Sequence, residues 1–477
     1  MTTRPSLTRR TLIQAMFYGA GASVLIACGG GSSRGGAVTP APPVDPDVPE
    51  PPVVPATQLP LSAGPLAAIG PLVQSEVDGI FIPEGFSIRR VARHLHNPRT
   101  GLPDPLGLLG YHWHVFPDGG AVFPVEDDGG WVYVSNSETP LGGGVGALRF
   151  DAEGQIVDAY RILNNTRTNC AGGATPWGTW LSCEEVTDGR VYECHPLGTP
   201  SQAVAHPALG IFRHEAAAVD WHTRTVFMTE DRGDGRFYRF RSFGETTSMT
   251  GQPALDLANG VLEVLEVEGF ENGGYQDDLA QARLLKKVRW VPVINPDQPQ
   301  ENVRATLEAS TGSAPGTVFR GGEGLWLQYL PEDAQPVVAG SPNPLRAVAF
   351  FACKGDNRVY ALDIDNDQIE VVFDNEQLIA PDAPFDDVDN VVVSPSGDVV
   401  VAEDGEQMRL MVMVPNQPAK VLVQVPGGGS ELTGPAFTPD GSRLYFSSQR
   451  GPSGDLVATG VTYELTVPAA FRTPVGT

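Results

Sequence analysis

Basic residues, cysteines and helical periodicity are all scarce in this chain of 477 residues. Against 57 Asp and Glu stand only 32 Lys and Arg, for a formal net charge of −25. Such a surface repels phosphate backbones, so we expect no nucleic-acid partner. Five cysteines are too few for a scaffold built from disulfides, and the rarity of helical periodicity excludes a long-helix or coiled-coil protein.

Glycine and proline are abundant instead, with 55 and 43 residues. This composition favours many short strands joined by turns, and a hydrophobic content of 41% is enough for a sizeable core. The acidic surplus suits a protein that binds hard cations through carboxylates.

The first 28 residues are typical of a bacterial export signal. Arg9 and Arg10 precede a mild apolar stretch, residues 11–27, which is too short to span a bilayer and predicts twin-arginine export. The run from Leu25 to Cys28 resembles a lipobox, so Cys28 is predicted to be lipidated. The alternative is an ordinary signal peptide with an incidental cysteine. Residues 29–75, rich in Gly, Ser and then Pro, are predicted to be a linker that tethers the protein to the cell envelope.

Strand–turn–strand patterns recur throughout residues 76–477. Val391–Gly397 and Ala436–Gly441 each run from an apolar strand into a Pro/Gly turn, and a second apolar strand follows. They lie about 45 residues apart, the length of one four-stranded blade. The sequence therefore predicts an all-β protein with a single β-propeller domain, with a pair of β-sandwiches as the alternative.

Acidic residues are concentrated where these predicted strands end, in separate repeats of the chain. Carboxylates from separate blades can converge on the propeller axis, and such crowding is costly unless protons or cations neutralise it. Oxygen-rich convergence favours calcium, whereas a thiolate among carboxylates, such as Cys183, favours a softer metal such as iron. For any single cluster the alternative is a solvated loop.

Several long motifs resemble those of one known family. Thr175–Glu185, which reads TPWGTWLSCEE and is preceded by Asn169–Gly173, resembles the signature of the PhoX-type alkaline phosphatases. The further matching segments, in the family's order, are His214–Asp220, Thr229–Phe240, Asp389–Asn390, Glu403–Gly405 and Leu432–Gly441. The resemblance spans roughly residues 76–468 and implies a six-bladed propeller exported by the twin-arginine route.

The resemblance also implies an activity and a set of site residues. Enzymes of this family hydrolyse phosphate monoesters, and some diesters, of small organic molecules at a site that holds iron and calcium. Cys183, the cysteine of the Cys-Glu-Glu motif, is the implied iron ligand. The carboxylates that match the rest of the metal shell are Glu138, Glu184, Glu215, Glu230, Asp231, Glu323 and Asp389. A membrane-tethered monomer is expected.

The chain departs from the family pattern at the expected substrate clamp. The family motif Phe-x-Arg-x-Glu reads Phe319-Arg-Gly-Gly-Glu323 here, so that Gly321 stands at the arginine position and Arg320 comes one residue early. Arg320 remains the candidate catalytic residue, because a Gly-rich loop could let it curl back. Two alternatives stay open: a metal-binding propeller lipoprotein without catalysis or with another substrate, and a calcium-dependent hydrolase of the lactonase type. The disulfide state of Cys170, Cys194 and Cys353 also stays open.

Overall fold

The structure is a computed structural model that describes residues 57–271, 273, 279–374, 385–405, 407–452 and 460–472. The predicted export signal, the predicted lipidation site Cys28 and linker residues 29–56 lie outside the described residues. Within the described residues, none of the helices has the length and apolar character needed to cross a membrane.

Short antiparallel strands are the main regular elements of the described chain. In chain order they are β1 (Leu72–Gln74), β2 (Phe81–Pro83), β3 (Ser87–Arg93), β4 (Pro117–Val125), β5 (Gly130–Ser137), β6 (Gly143–Phe150), β7 (Ile156–Thr166), β8 (Asn169–Ala174), β9 (Trp180–Glu184), β10 (Val191–Cys194), β11 (Val204–Ala205), β12 (His214–Asp220), β13 (Thr225–Glu230), β14 (Phe237–Ser242), β15 (Glu245–Thr247), β16 (Pro253–Leu255), β17 (Gly260–Val267), β18 (Lys286–Pro292), β19 (Gly322–Tyr329), β20 (Ala347–Cys353), β21 (Arg358–Asp363), β22 (Gln368–Asp374), β23 (Val388–Val393), β24 (Val399–Glu403), β25 (Arg409–Met413), β26 (Lys420–Gln424), β27 (Leu432–Phe437), β28 (Arg443–Ser448) and β29 (Val461–Thr466). The α-helices are α1 (Leu279–Ala282) and α2 (Gln300–Thr311). Short 3₁₀ turns cover Pro65–Ala68, Pro200–Gln202, Pro207–Leu209, Glu332–Ala334 and Ala469–Phe471.

Strand pairing gathers these elements into antiparallel sets of four. The sets are β4–β7, β8–β11, β12 to β14 with β17, β19–β22, β23–β26, and β27–β29 with β3. The first strands of successive sets contact one another in a closed ring, from β4 through β8, β12, β19, β23 and β27 back to β4. This arrangement confirms the predicted β-propeller.

One strand from the start of the domain completes the last set of the ring, and three further strands extend or connect other sets. β3, near the start of the described chain, pairs with β29 near its end, so the last set is completed across the termini. β18 joins two neighbouring sets into one nine-stranded sheet, and β1 and β2 extend another set. Because hydrogen bonding merges sets in this way, six blades remain our interpretation of the pairing.

The compact part of the chain begins earlier than the predicted boundary at residue 76. Leu59 and Leu66, which the sequence assigns to the linker, are buried in the core. The backbone N–H of Leu59 donates to Glu370 Oε1 at 2.8 Å, and that of Leu66 donates to Asp398 Oδ1 at 2.9 Å. Residues 57–75 therefore pack on the propeller, because apolar side chains and two buried carboxylates hold them there.

The core lies in layers between neighbouring sheets. Within β24, Val400 packs into one layer, whereas Val399 and Val401 pack into the layer on the other face. β24 is therefore buried on both faces, which explains its continuous apolar sequence Val-Val-Val-Ala. Burial of each such side chain stabilises the fold by about 1.5–3 kcal/mol.

Candidate metal centre

The first strand of each set, which we call the inner strand, carries a β-bulge near its start, where it pairs with the second strand of the set. In β4, for example, Asp118 and Gly119 together oppose the single residue Asn136. The first residues of these bulges are Asp118, Cys170, Glu215, Glu323, Asp389 and Gly434. Because a bulge breaks the alternation of side chains, it can redirect a side chain that the strand would otherwise bury between sheets. Five of the six positions thus present an acid or a thiol.

A second series of polar side chains follows the ends of the second strands. The residues directly after β5, β9, β13, β20, β24 and β28 are Glu138, Glu185, Asp231, Lys354, Asp404 and Gln449. In an antiparallel pair the end of the second strand lies beside the start of the first. The side chains of this series therefore lie beside the bulge residues of the inner strands, and the same pairing of positions recurs in each set.

The two series converge on a cluster of carboxylates around one thiol. Among the described residues, four groups of three have ligand atoms within 4.8 Å of one another. They are Asp118–Glu138–Cys170, Cys170–Glu185–Glu215, Glu215–Glu323–Asp389 and Asp389–Asp404–Glu431. Because neighbouring groups share a residue, we treat these nine residues as one axial cluster.

Burial and mutual repulsion make the axial cluster unfavourable without cations or protons. Burial raises the pKa of Asp118 well above its usual value, and the charges of Glu138 and Glu431 raise it further. Burial also raises the pKa of Glu431, and the Asp404 charge adds to the effect. Bound cations would remove this cost, since they favour the ionised carboxylates.

The donor set fits hard cations, with a softer metal on one side. Eight carboxylates supply the oxygen ligands that calcium prefers, and the Cys170 thiol suits iron. Gln449 adds a separate observation: its Nε2 donates to Asp118 Oδ2 at 2.9 Å and to Glu138 Oε2 at 2.8 Å. Its Oε1 is buried and has no hydrogen-bond partner within the described chain, as an amide oxygen beside a cation site would.

Four of the carboxylates predicted from the sequence meet in the axial cluster: Glu138, Glu215, Glu323 and Asp389. The other predicted ligands, Cys183, Glu184, Glu230 and Asp231, lie outside the groups that the described residues form. Their surroundings explain the difference.

Cys183 is the fourth of the five residues of β9 and faces a layer of the core. It packs in one buried cluster with Leu181, Val191 and Phe212. Burial raises the pKa of its thiol well above the usual value, and the nearby Glu215 charge raises it further. The thiol within the axial cluster is that of Cys170, which sits on the bulge of the neighbouring strand β8.

Glu184 and Glu230 each bind protein groups. Glu184 Oε1 accepts a hydrogen bond from the backbone N–H of Arg167 at 2.9 Å. Glu230 is fully buried and pairs with Arg304 of α2, whose Nη2 lies 2.7 Å from Glu230 Oε1. A carboxylate engaged in a buried ion pair is a structural group, so Glu230 fixes α2 on the propeller.

Asp231, Arg320 and Gly321 lie together at the border of the cluster. A side chain on Gly321 would place its Cβ 3.3 Å from Asp231 Oδ1 and 3.6 Å from Lys354 Cβ. Arg320 lies against Gly355, whose N–H donates to the Arg320 carbonyl at 3.0 Å. Burial raises the pKa of Asp356 to about 6, and the Arg320 charge offsets a small part of that rise. The cation that contacts the axial carboxylates from this side is Lys354.

Five members of the axial cluster were not assigned as ligands from the sequence: Asp118, Cys170, Glu185, Asp404 and Glu431. Of these, Glu185, Asp404 and Glu431 do belong to the acidic clusters at the predicted strand ends. A local signal was present, because four bulges place a small residue directly after the ligand: Gly119, Ala171, Ala216 and Gly324. In the sequence Asp118 lies in Phe116-Pro-Asp-Gly119, which is typical of a turn. Cys170 precedes the Cys-Glu-Glu motif, whose cysteine, Cys183, was assigned as the ligand instead.

A β-propeller with a cluster of carboxylates and one thiol on its axis belongs to a class of candidate metal-dependent proteins. Comparison with known proteins shows which family within that class this chain resembles. The family model for alkaline phosphatase PhoX matches residues 133–192 and 187–333. The resemblance to the PhoX-type alkaline phosphatases that the motifs predicted is confirmed over these residues.

One solved structure supports the fold. The structure of Pseudomonas fluorescens PhoX, in complex with vanadate as a transition-state analogue, is similar with a TM-score of 0.62 at 18% identity. The match covers 87% of this chain and 100% of that one. A gluconolactonase from Xanthomonas campestris matches with a TM-score of 0.38 at 12% identity, over 84% of this chain and 98% of that one. No curated protein matches the chain.

Proposed function

We propose that this protein is a metal-dependent phosphatase that hydrolyses phosphate esters of small organic molecules outside the cytoplasm and releases inorganic phosphate. The observation that carries the proposal is the convergence of acids from successive inner strands, with one thiol, on the axis of a propeller that matches the PhoX family. The family match supports a phosphatase-type hydrolase.

We assign the metal ligands from the donor types. Cys170, Glu185 and Glu215 suit iron, because they combine a thiol with carboxylates, whereas Glu215, Glu323 and Asp389 suit calcium. Cations held there would neutralise the charge of a phosphate ester and polarise its phosphoryl oxygens. The bulges hold the carboxylates in place, and Gln449 orients Asp118 and Glu138 by donating to both.

The test compares two adjacent glutamates that differ in placement. Elemental analysis would measure iron and calcium in the exported protein, and p-nitrophenyl phosphate would measure turnover. Glu185→Gln should lower both metal content and turnover, because Glu185 belongs to the axial cluster. Glu184→Gln is the matched control and should keep both. Wild-type protein without iron, or with turnover that survives complete metal removal, would refute the proposal.

A second function is favoured by one observation, the absence of a side chain at Gly321. If arginine at this position holds the substrate in the family, the chain could bind metals and act on another substrate or on none. Full metal content without turnover of monoesters would support this alternative, and diesters would then be assayed. Arg320→Ala tests the predicted role of Arg320: an increase in KM would support it.

Export and anchoring form a separate part of the proposal. Arg9, Arg10 and Cys28 support secretion by the twin-arginine route and attachment through a lipid on Cys28. Replacing Cys28 with Ala should release the protein from membranes. Persistent membrane association of that variant would contradict lipid anchoring.

A further inference from the structure

Lys354 occupies a position that is acidic in most other sets of strands. It follows β20 directly, as Glu138 follows β5, Glu185 follows β9 and Asp404 follows β24. By this internal repetition the residue after the second strand supplies a ligand to the axial cluster. In the set that begins with β19 the same position supplies an ammonium group instead.

The ammonium of Lys354 lies among three carboxylates. Its Nζ is 3.3 Å from Glu323 Oε1, 3.0 Å from Asp389 Oδ2 and 3.0 Å from Asp404 Oδ2. The contact with Asp404 is a hydrogen bond, and those with Glu323 and Asp389 are ion pairs, so one ammonium partly neutralises three carboxylates. The Lys354 side chain is only 20% exposed, and those of Glu323 and Asp389 are buried.

The same three carboxylates also belong to candidate metal groups. Glu323 and Asp389 form one group with Glu215, and Asp389 and Asp404 form the next with Glu431. Lys354 therefore lies where two groups meet. A metal ion placed among the three carboxylates would be close to a positive charge that is already bonded to them, and the two cations would repel each other.

We propose that Lys354 is a tethered cation that takes one cation position of the axial cluster, between Glu323, Asp389 and Asp404. No metal ion binds between these three carboxylates, while the groups that contain Cys170 and the Glu215 side of the group Glu215–Glu323–Asp389 remain available to metals. The proposal concerns which cation fills the position, so it does not depend on the phosphatase activity.

Replacing the lysine should open the position to a divalent cation. In Lys354→Gln the three carboxylates lose their internal cation, and we expect about one more calcium ion per chain, because three carboxylates suit calcium. Lys354→Arg keeps the charge and should keep the wild-type metal content. Lys287→Gln is the matched control, because Lys287 is exposed on β18.

Metal content per chain would be measured by elemental analysis of each protein after equilibration with calcium. A gain in Lys354→Gln alone supports the proposal. An unchanged or lower content in Lys354→Gln overturns it, since the lysine would then be indifferent to metals or would support one.

A second measurement needs no variant and so does not depend on variant folding. A crystal structure of the wild-type protein grown with calcium, with anomalous scattering data, should show the ammonium among the three carboxylates and no metal there. A metal ion bound between Glu323, Asp389 and Asp404 would overturn the proposal. Neither measurement requires turnover, so failure of the proposed phosphatase function is detected separately.

Discussion

Replacing Arg304 with Met should destabilise the protein strongly, because it leaves a buried carboxylate without its cation. Arg304 projects from α2, and its Nη2 lies 2.7 Å from Glu230 Oε1. The Arg304 side chain is 4% exposed and that of Glu230 is 0% exposed. Arg304 Nε also donates to Asp234 Oδ2 at 3.1 Å, and Nη1 donates to Tyr238 Oη at 2.8 Å.

The size of the effect follows from what remains around Glu230. In Arg304→Met, Glu230 Oε2 keeps the Tyr238 hydroxyl at 3.0 Å and the backbone N–H of Arg236 at 3.1 Å, but Oε1 loses its charged partner. Breaking a buried ion pair by removing one partner typically costs about 3–5 kcal/mol. We expect a loss of that size in the free energy of unfolding.

Urea denaturation followed by tryptophan fluorescence would measure the loss. The double variant Glu230→Gln/Arg304→Met should recover much of the stability, because no buried charge is left unpaired. Glu230→Gln should also leave the metal content unchanged. A loss below about 1 kcal/mol in Arg304→Met would refute the reasoning, since it would place the pair among solvent-exposed ones. So would a double variant no more stable than the single one.

Two further predictions concern the thiols and a buried carboxylate. Cys170→Ser should lower the number of bound metal ions, because the Cys170 thiol belongs to two of the candidate metal groups. Cys183→Ser should leave that number unchanged, because Cys183 packs in the core. Equal losses of metal in the two variants on elemental analysis would contradict this placement of the thiols. Burial raises the pKa of Glu370 to about 6, so the folded protein binds this proton more tightly than the unfolded chain does. Wild-type protein should therefore lose about 2 kcal/mol of stability as the pH rises from about 4.5 to about 6, a loss that Glu370→Gln should not show. Urea titrations at pH 4.5 and pH 7 would measure it, and the same pH dependence in both proteins would count against the pKa shift.

The propeller could be predicted from the sequence because its repeat is local. A strand, a Pro/Gly turn and a second strand are close along the chain, as in Val391–Gly397 and the strand that follows it. The closure of the ring is not local: β3 pairs with β29 across nearly the whole domain. Nor did the composition of residues 57–75 reveal their docking, since it depends on Glu370 and Asp398, more than 300 residues away.

The site could be predicted only in part because it depends on register. Acids at strand ends pointed to a cation site, and Glu215, Glu323 and Asp389 do meet there. Whether a particular side chain enters the cluster depends on the bulge, which no single strand reveals by itself. Cys183 belongs to the more conspicuous motif, yet it is on the second strand and faces the core. The ion pair of Glu230 could not be predicted, because its partner Arg304 lies 74 residues further along the chain.

The sixth bulge position is a glycine and supplies no ligand side chain, and the steric reason for the glycine can be tested. Gly434 has φ 59°, and a Cβ there would lie 2.6 Å from the backbone oxygen of Asp118, so no larger residue fits without movement of the first inner strand. Gly434→Ala should therefore cost more than the roughly 1 kcal/mol of backbone strain that alanine incurs in this region. Gly251→Ala is the matched control, because Gly251 has φ 82° and nothing within 4 Å of its Cβ position. Urea denaturation would compare the two variants. If Gly434→Ala is no less stable than Gly251→Ala, close packing against Asp118 does not require glycine at position 434. The absence of a ligand side chain at this position then has no steric cause.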